Sequence, residues 1–417
     1  MDILDELKWR GAVNQVTDEE GLAKLVKDKK IGLYCGVDPT GDSLHVGHLI
    51  PFMMLKRFQE AGHHPVIVIG GGTGAIGDPS GKKSERVLQT MDQVKHNEAC
   101  LTAQMEKLFG TDNFTIVNNR DWLGQLSLLD FLRDYGKLFN VNTMIHKEIV
   151  ASRLEVGISF TEFTYQILQS IDFLHLYQHE DVQLQVGGAD QWGNITDGID
   201  LIHKVEGADA KAYGLTIPLM LKADGTKFGK TAGGAVWLDP KKTSPYEFYQ
   251  FWLNTDDRDV IKYLKYFTFL SKDEIDELEE QVKTAPQKRA AQRKLAEEVT
   301  AFVHGQAAVD QAEKISKALF SGDVADLTAD EIEQGFSDVP SMEVSGEKKN
   351  IILWLVDDTK IEPSRRQARQ DVSNGAVRIN GEKVTDVNAD VDPSSHFDGR
   401  FVIVRKGKKH YFLARVK

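Results

Sequence analysis

The sequence predicts an α/β protein, in which a doubly wound parallel sheet is followed by an all-helical domain and a small C-terminal α/β domain. Three observations predict this order. Apolar, strand-like runs alternate with helices up to about residue 120, which is typical of a parallel sheet. Residues 245–320 are rich in Glu, Lys, Ala and Leu at helical spacing. Residues 349–417 return to a compact mixture of helix and strand patterns.

The first sheet is predicted from three short apolar runs, at residues 31–37, 65–69 and 114–118. Helices are expected between them, at 47–60 and 91–109. Ligands of such Rossmann-like sheets lie beyond the carboxyl ends of the strands. Those ends fall at Gly36–Thr40, Gly70–Ser80 and Asn118–Trp122.

The rest of the chain is divided by changes in pattern. A helix is predicted at 161–177 and a strand at 182–186, whereas residues 321–348 are acidic, weakly periodic and expected to form a linker with some helix. The C-terminal part predicts a helix through 363–369, a hairpin at 377–384 and two more strands. The predicted segments are 1–220, 221–244, 245–320, 321–348 and 349–417.

Composition limits the class of protein. The 417 residues are 41% apolar and 27% charged, which excludes a disordered tail, a collagen-like chain and a disulfide scaffold. No run approaches the ~20 apolar residues of a membrane-spanning helix, and the N-terminus has no signal-peptide core. With only Cys35 and Cys100, a reducing cytoplasmic location without a membrane is expected.

The charge is distributed unevenly along the chain. Residues 349–417 hold 14 Lys and Arg against 9 Asp and Glu, whereas residues 1–348 hold 37 against 54. An acidic body with a basic tail favours contact between the tail and a polyanion. A chance fluctuation in surface charge explains the same numbers about equally well.

His45-Val46-Gly47-His48 lies where a loop turns into a helix. Two imidazoles three residues apart share one helix face, and the glycine lets a flat ligand approach the backbone. The helix N-terminus suits an anion such as a phosphate. A zinc site is disfavoured because no third ligand is near, but two ordinary surface histidines are at least as plausible from these residues alone.

Two further segments offer cations for phosphates. Lys227-Phe228-Gly229-Lys230-Thr231 places two lysines three residues apart on a glycine-hinged loop, which can close on a polyphosphate and stabilise developing charge. A solvated basic loop is the commoner alternative. Gly77–Ser84 lacks the spacing of a P-loop, so Lys82 and Arg86 could bind phosphate only through their side chains.

A polar stripe marks the predicted helix 161–177. Tyr165, Gln169 and Asp172 recur at i, i+4 and i+7 among apolar residues. Burying such groups unpaired costs about 1–3 kcal/mol each, so either protein groups or a ligand must pair with them. Strand alternation puts Tyr34 and Asp38 on one face of their strand, where they could complete a pocket for a small zwitterion.

Gln185–Asn194 follows the predicted strand at 182–186. Gly187 and Gly188 allow close approach of a ligand to the backbone, and Asp190 could bond a ribose hydroxyl, as in other nucleotide sites. A tight turn would explain the glycines, but not the position of Asp190 and Gln191 at the strand's carboxyl end.

Taken together and in order, these segments resemble the class I aminoacyl-tRNA synthetases, and within them the bacterial tyrosyl-tRNA synthetases. His45–His48 is similar to the HxGH element, and Lys227–Thr231 to the KMSKS loop in its KFGKT form. The segments Tyr34–Thr40, Gly77–Arg86, Thr161–Tyr165 and Gly187–Asn194 also match in order, and the basic tail resembles S4-type RNA-binding domains. The resemblance extends over essentially the whole chain.

The resemblance implies a role for each candidate residue. Tyrosine would be bound through its hydroxyl and its ammonium group by Tyr34, Asp172, Tyr165, Gln169, Asp78 and Gln191. ATP would be bound by Gly36, Asp38, His48, Gly188, Asp190 and Lys230. The departing pyrophosphate would be surrounded by Thr40, His45, Lys82, Arg86, Lys227, Lys230 and Thr231, and these residues together with His48 would form the catalytic set. No protein-bound metal site is implied.

The implied activity is tyrosine–tRNA ligation. The substrates would be L-tyrosine, ATP with Mg²⁺ and tRNA(Tyr), with no tightly bound cofactor and no DNA, in a homodimer. The five segments would be a catalytic domain, a mobile KFGKT region, a helical anticodon-binding-type domain, a linker and an S4-like RNA-binding domain. Three alternatives stay open: a tryptophanyl-tRNA synthetase, an HxGH nucleotidyltransferase of a small metabolite, and a non-enzymatic RNA-binding protein.

Overall fold

The structure is a computed structural model that describes residues 2–80, 89–110, 112–155, 157–231, 234–337, 339–407 and 410–417. For residues 148–149 and 230–231 it describes the backbone alone. The chain forms two compact units, Met1–Thr243 with Trp252–Val299 and Ser244–Phe251 with Thr300–Lys417. These units do not coincide with the five segments predicted from the sequence, and that finer division stays a prediction.

The described strands are β1 (Gln15–Val16), β2 (Gly32–Val37), β3 (His64–Ile69), β4 (Thr115–Asn118), β5 (Val182–Gly188), β6 (Tyr213–Ile217), β7 (Lys230–Thr231), β8 (Gly234–Ala235), β9 (Ser341–Val344), β10 (Lys349–Asn350), β11 (Val377–Ile379), β12 (Glu382–Val384), β13 (Asp390–Val391), β14 (Phe401–Lys406) and β15 (His410–Val416). The predicted strands of the first sheet are therefore confirmed as β2 to β5. Strands β1 and β6 were not predicted.

The described α-helices are α1 (Ile3–Trp9), α2 (Glu19–Asp28), α3 (Leu49–Glu60), α4 (Met91–Phe109), α5 (Arg120–Leu123), α6 (Leu128–Asp130), α7 (Val141–Ile145), α8 (Glu148–Ala151), α9 (Phe160–His179), α10 (Trp192–Glu206), α11 (Pro245–Leu253), α12 (Asp257–Phe267), α13 (Lys272–Thr284), α14 (Ala290–His304), α15 (Gln306–Ser321), α16 (Ala329–Gly335), α17 (Ile351–Leu353) and α18 (Arg365–Ser373). None of these described helices combines the length and apolar character of a membrane span.

The first unit is built on a six-stranded sheet of order β1-β6-β5-β2-β3-β4. Its strands are parallel except β1, which pairs with β6 in the antiparallel sense. Because the chain runs from β2 outward through β3 and β4 and then returns to β5 on the other side, the strand order reverses between β2 and β5. This reversal point, at the carboxyl ends of the two strands, is where doubly wound sheets bind ligands.

Helices α9 and α10 cover the sheet next to this point. Helix α9 begins after Ser159, whose hydroxyl accepts the amide proton of Glu162 (3.2 Å) as an N-cap. Its apolar face joins Tyr34, Val66 and Val68 in one buried cluster. The helix is therefore fixed along its length, and its polar stripe is held over the ends of β2 and β3.

The second unit contains a five-stranded sheet of order β12-β11-β14-β15-β9. Alternate residues of β14 enter two cores on opposite faces, one with Val402 and Val404 and the other with Phe401 and Ile403. The segment predicted as a linker contributes helix α16, strand β9 and the buried Phe336 to this packing. The strand and the packing were not predicted from its polar composition.

Candidate functional site

The floor of the site lies where β2 ends. Gly36 is exposed there, and among the described residues the nearest atom to a Cβ built on it is the Val68 carbonyl oxygen at 3.8 Å. None of the described residues therefore fills the space above this glycine. A side chain of ordinary size would project into the cleft, so a glycine here leaves room for a ligand to lie against the strand.

A buried hydroxyl and a buried carboxylate close this floor. Tyr34 is 2% exposed and packs against Phe173, with ring centroids 5.3 Å apart. Within the described part of the chain, its hydroxyl has no hydrogen-bond partner. Burial, and then the nearby Asp172, raise the pKa of Tyr34 well above its usual value, so the phenol stays protonated. A ligand hydroxyl would relieve the cost of about 1–3 kcal/mol of leaving it unpaired.

Asp172 is held by two residues that the sequence analysis did not assign. The Asn119 amide donates to one carboxylate oxygen (2.9 Å), and the Trp122 indole N–H donates to the other (2.7 Å). Burial raises the pKa of Asp172 to about 7, with the two hydrogen bonds opposing the shift and Asp38 adding to it. The only sequence signal was that Asn118–Trp122 follows a strand at its carboxyl end.

A hydrogen-bonded chain links Asp172 to Asp38. Asn119 also donates to the Thr73 hydroxyl (2.9 Å), which donates to Asp38 (2.7 Å), whose second oxygen accepts the hydroxyl proton of Tyr165 (3.0 Å). A Cβ on Gly70 would lie 2.1 Å from the Asp38 carboxylate, so this glycine is needed for the chain to form. The structure thus brings Tyr165 and Asp38, predicted on different substrates, into direct contact.

A second polar group forms the wall beside α9. The Gln169 amide donates to Gln191 (3.3 Å), and the Gln191 amide donates to Asp78 (2.9 Å). Asn194, which the sequence analysis did not assign, donates to both glutamines, at 3.1 and 3.2 Å. Three predicted residues from distant parts of the chain therefore meet, with carboxamide and carboxylate oxygens suited to an ammonium group.

Asp190 is exposed at the mouth of the cleft, directly after β5. A Cβ on Gly188 would lie 2.6 Å from its carboxylate. Glycine at this position lets the carboxylate fold back over the strand end, which is consistent with the predicted contact to a ribose hydroxyl.

The two histidines of HxGH stack, with ring centroids 3.9 Å apart. The Gly47 amide donates to His45 Nδ1 (3.0 Å), and the His45 amide donates to His48 Nδ1 (3.1 Å). Because a backbone amide can only donate, each Nδ1 carries the lone pair and each neutral ring bears its proton on Nε2. Burial, and then His45, lower the pKa of His48 to about 3, so His48 is an uncharged donor.

The KFGKT segment lies against this element. A Cβ on Gly229 would meet Val46 at 3.2 Å and the Gly47 nitrogen at 3.4 Å. Phe228 is 9% exposed in an aromatic cage, 5.0 Å from Tyr263 between ring centroids. The HxGH element and the KFGKT segment are therefore neighbours in the structure, and their roles toward phosphates stay a prediction.

The remaining predicted phosphate residues are described less completely. Thr40 is exposed and its carbonyl accepts a hydrogen bond from Gln89 (3.0 Å), and Lys227 is also exposed. Lys230 and Thr231 form strand β7, but their side chains, like the whole of Lys82 and Arg86, lie outside the described part of the chain. In the described part, no three His, Cys, Asp or Glu residues come together as metal ligands.

The fold and cleft are those of a class I synthetase: a doubly wound sheet with an HxGH helix and a lysine loop at its carboxyl edge. The family described as tRNA synthetases class I (W and Y) matches residues 26–321, and the tyrosine–tRNA ligase SYY-like C-terminal domain matches residues 331–414. The chain belongs to the tyrosine–tRNA ligases of this class.

Individual relatives agree with this assignment. The tyrosine–tRNA ligases of Limosilactobacillus reuteri and Pediococcus pentosaceus are 79% and 77% identical over 417 residues, with 100% of both chains covered. A solved structure, the C-terminally truncated mitochondrial tyrosyl-tRNA synthetase of Aspergillus nidulans, is similar with a TM-score of 0.70 and 33% identity. The match covers 76% of this chain and 94% of that one.

Proposed function

We propose that this ligase activates L-tyrosine with ATP and then transfers the tyrosyl group to the 3′ end of tRNA(Tyr). The observation that carries the proposal is the buried pair of Tyr34 and Asp172 at the floor of a cleft whose rim holds the stacked histidines. The phenol hydroxyl of the substrate can donate to the Asp172 carboxylate and accept from the Tyr34 hydroxyl at once. A ligand of this shape and polarity satisfies both buried groups.

The pair also gives selectivity against phenylalanine. Phenylalanine would fill the space but leave the hydroxyl of Tyr34 without a partner and the carboxylate of Asp172 with only its bonds from Asn119 and Trp122. Each unpaired buried group costs about 1–3 kcal/mol. Tryptophan could offer an N–H donor, but only from a larger bicyclic ring.

Activation would proceed by attack of the tyrosine carboxylate oxygen on the α-phosphorus of ATP, with cleavage of the bond to the bridging oxygen and release of pyrophosphate. The ammonium group would be held by Tyr165, Gln169, Asp78 and Gln191. The adenosine part would be bound by Gly36, Asp38, Gly188, Asp190 and His48. These contacts place the two reacting atoms together and so reduce the entropic part of the barrier.

Charge on the departing pyrophosphate would be stabilised by N–H donors and cations. His45 offers its Nε2 proton, and Thr40, Lys82, Arg86, Lys227, Lys230 and Thr231 are the further candidates. None of them needs to act as a nucleophile, so catalysis would rest on binding the transition state more tightly than ATP. Mg²⁺ would enter with the triphosphate as part of the substrate.

The tRNA would be bound partly by the basic C-terminal region. Arg366 and Arg369 are exposed on α18, where they could contact phosphates. Substituting both with Gln should weaken tRNA binding and leave tyrosine-dependent ATP–pyrophosphate exchange unchanged. Unchanged tRNA affinity would remove this part of the proposal.

A second copy of the chain is the proposed partner of an apolar surface in the first unit. Six of the large apolar side chains exposed in the described residues fall between 128 and 160: Leu128, Leu129, Leu132, Val141, Leu154 and Phe160. Exposed apolar side chains concentrated in this way mark an interaction site, and the ligase would be a homodimer. Sedimentation of a Leu128→Glu/Leu129→Glu variant should show monomers; an unshifted dimer would place the interface elsewhere.

The proposed location is the cytoplasm. Cys35 and Cys100 are both free thiols, as expected of a protein in a reducing compartment.

The activity is tested by amino-acid-dependent ATP–pyrophosphate exchange with tyrosine, tryptophan and phenylalanine. Exchange with tyrosine alone is expected. Exchange driven by tryptophan would overturn the substrate, and no exchange with any of the three would overturn activation of an aromatic amino acid.

A further inference from the structure

Three rings are stacked behind the carboxylate that closes the pocket. The Trp122 indole lies 4.2 Å from the His175 ring at an interplanar angle of 15°, and His175 lies 4.3 Å from His179 at 23°. Asp172, His175 and His179 sit at i, i+3 and i+7 on α9, so they share one face of the helix. The stack runs from an exposed histidine inward to the indole that contacts Asp172.

The indole has two supports beyond its own short element. Trp122 lies on α5, a four-residue helix without a buried residue, and its partly buried side chain packs against the core cluster that contains Phe173. His175 adds a stacked ring. The indole N–H must point at Asp172 for the 2.7 Å hydrogen bond to form. A flat ring parallel to the indole limits its rotation, and aromatic contacts of this kind are worth about 0.5–1.5 kcal/mol.

The His175 ring is held by stacking and not by hydrogen bonds to other described residues. Within the described ranges, neither of its ring nitrogens has a hydrogen-bond partner, so stacking is the main constraint on the ring. Burial, and then His179, lower the pKa of His175, which keeps the ring uncharged near neutral pH. The outer ring is fixed independently, because His179 Nδ1 donates to the backbone carbonyl of His175 (2.9 Å).

We propose that His175 is a positioning residue for tyrosine recognition, holding the Trp122 indole so that its N–H fixes the Asp172 carboxylate. The proposal rests on the proposed function, in which Asp172 receives the tyrosine hydroxyl. His175 itself touches neither substrate. It acts first on tyrosine recognition, because the Trp122 hydrogen bond that it supports is accepted by Asp172.

The test is a KM comparison in tyrosine-dependent exchange. His175→Leu removes the flat ring at similar volume and should raise the KM for tyrosine about two- to tenfold, with the KM for ATP unchanged. His175→Phe keeps the ring and should stay within about twofold of the unmodified enzyme. His179→Leu, on the same helix face but exposed, is the matched control and should have the smaller effect.

A double-mutant cycle separates positioning from general packing. Trp122→Phe removes the N–H donor and keeps a ring, so adding His175→Leu to it should change the KM for tyrosine no further. The proposal would be overturned by effects that multiply, by an equal rise in the KM for ATP, or by a His175→Phe enzyme as impaired as His175→Leu. If the unmodified enzyme shows no exchange with tyrosine, the proposed function itself fails instead.

Discussion

The two sides of the cleft are built in opposite ways. On the phenol side, Tyr34 and Asp172 are almost completely buried, and Asp172 is fixed by Asn119 and Trp122. On the phosphate side, Thr40 and Lys227 are exposed on loops. Under the proposed function this difference would divide recognition from catalysis: a buried floor would select the amino acid, and an open rim would supply charge.

Substitutions on the two sides should therefore change different kinetic parameters. Loss of a buried partner on the floor should appear in the KM for tyrosine and in discrimination against phenylalanine. Loss of a cation on the rim should appear in the rate of adenylate formation, because such groups act on charge that develops in the transition state.

Lys230→Ala should give the largest effect. If Lys230 has the proposed role toward the leaving pyrophosphate, removing its charge should slow adenylate formation by about 10²–10³-fold, with little change in tyrosine affinity. Pre-steady-state measurement of adenylate formation and equilibrium binding of tyrosine give the two numbers. Lys241→Ala, an exposed lysine, is the control; a large loss of tyrosine affinity in Lys230→Ala would contradict the division.

Asp172→Asn should weaken recognition of the tyrosine hydroxyl and leave the phosphate-side residues unchanged. The neutral amide accepts the tyrosine hydroxyl less strongly than a carboxylate does. Its NH₂ group also replaces one of the two acceptor oxygens and so faces one of the two donors, Asn119 or Trp122. A fall of about 10–100-fold in kcat/KM for tyrosine is expected, with a smaller fall for phenylalanine. Exchange assays with both amino acids measure it.

The control for this variant is Asp209→Asn, an exposed carboxylate, which should behave like the unmodified enzyme. Equal losses for tyrosine and phenylalanine would mean that Asp172 does not read the hydroxyl.

Lowering the pH should weaken recognition of tyrosine by protonating Asp172. Because the pKa of Asp172 is raised to about 7, its carboxyl is mostly ionised at about pH 8 and mostly protonated at about pH 6. The protonated form accepts the tyrosine hydroxyl poorly, so kcat/KM for tyrosine should fall about tenfold over this range. The Asp172→Asn enzyme should lack this step, and a step that persists in it would assign the pKa to another group.

The sequence identified the residues that line the site better than the residues that hold them in place. Tyr165, Gln169 and Asp172 were recognisable because they recur at helical spacing on one predicted helix. Asn119 and Trp122 were not, because their role depends on β4 lying next to β3, a contact between distant segments. Only the position of their segment at a strand end could be predicted.

The fold shows the same limit. Strands β2 to β5 were predictable because each is a short, continuous apolar run between turn residues. Helix α10 was not predicted: it contains Gly193 and Gly198, which weaken its helical pattern. In the structure a Cβ on Gly198 would lie 2.9 Å from Phe173, so close packing of α10 on α9 requires the glycine that obscured the helix.

Tyr34→Phe should give the smallest effect and sharpen the comparison most. It removes one buried hydroxyl that has no partner within the described residues, and it leaves Asp172 and its donors in place. Discrimination between tyrosine and phenylalanine should fall about three- to tenfold, the value of one neutral hydrogen bond, and the unliganded enzyme should melt at the same or a slightly higher temperature. Exchange kinetics and calorimetry measure the two quantities. A melting temperature that falls by several degrees would mean that the Tyr34 hydroxyl is paired within the protein and is not available to a ligand.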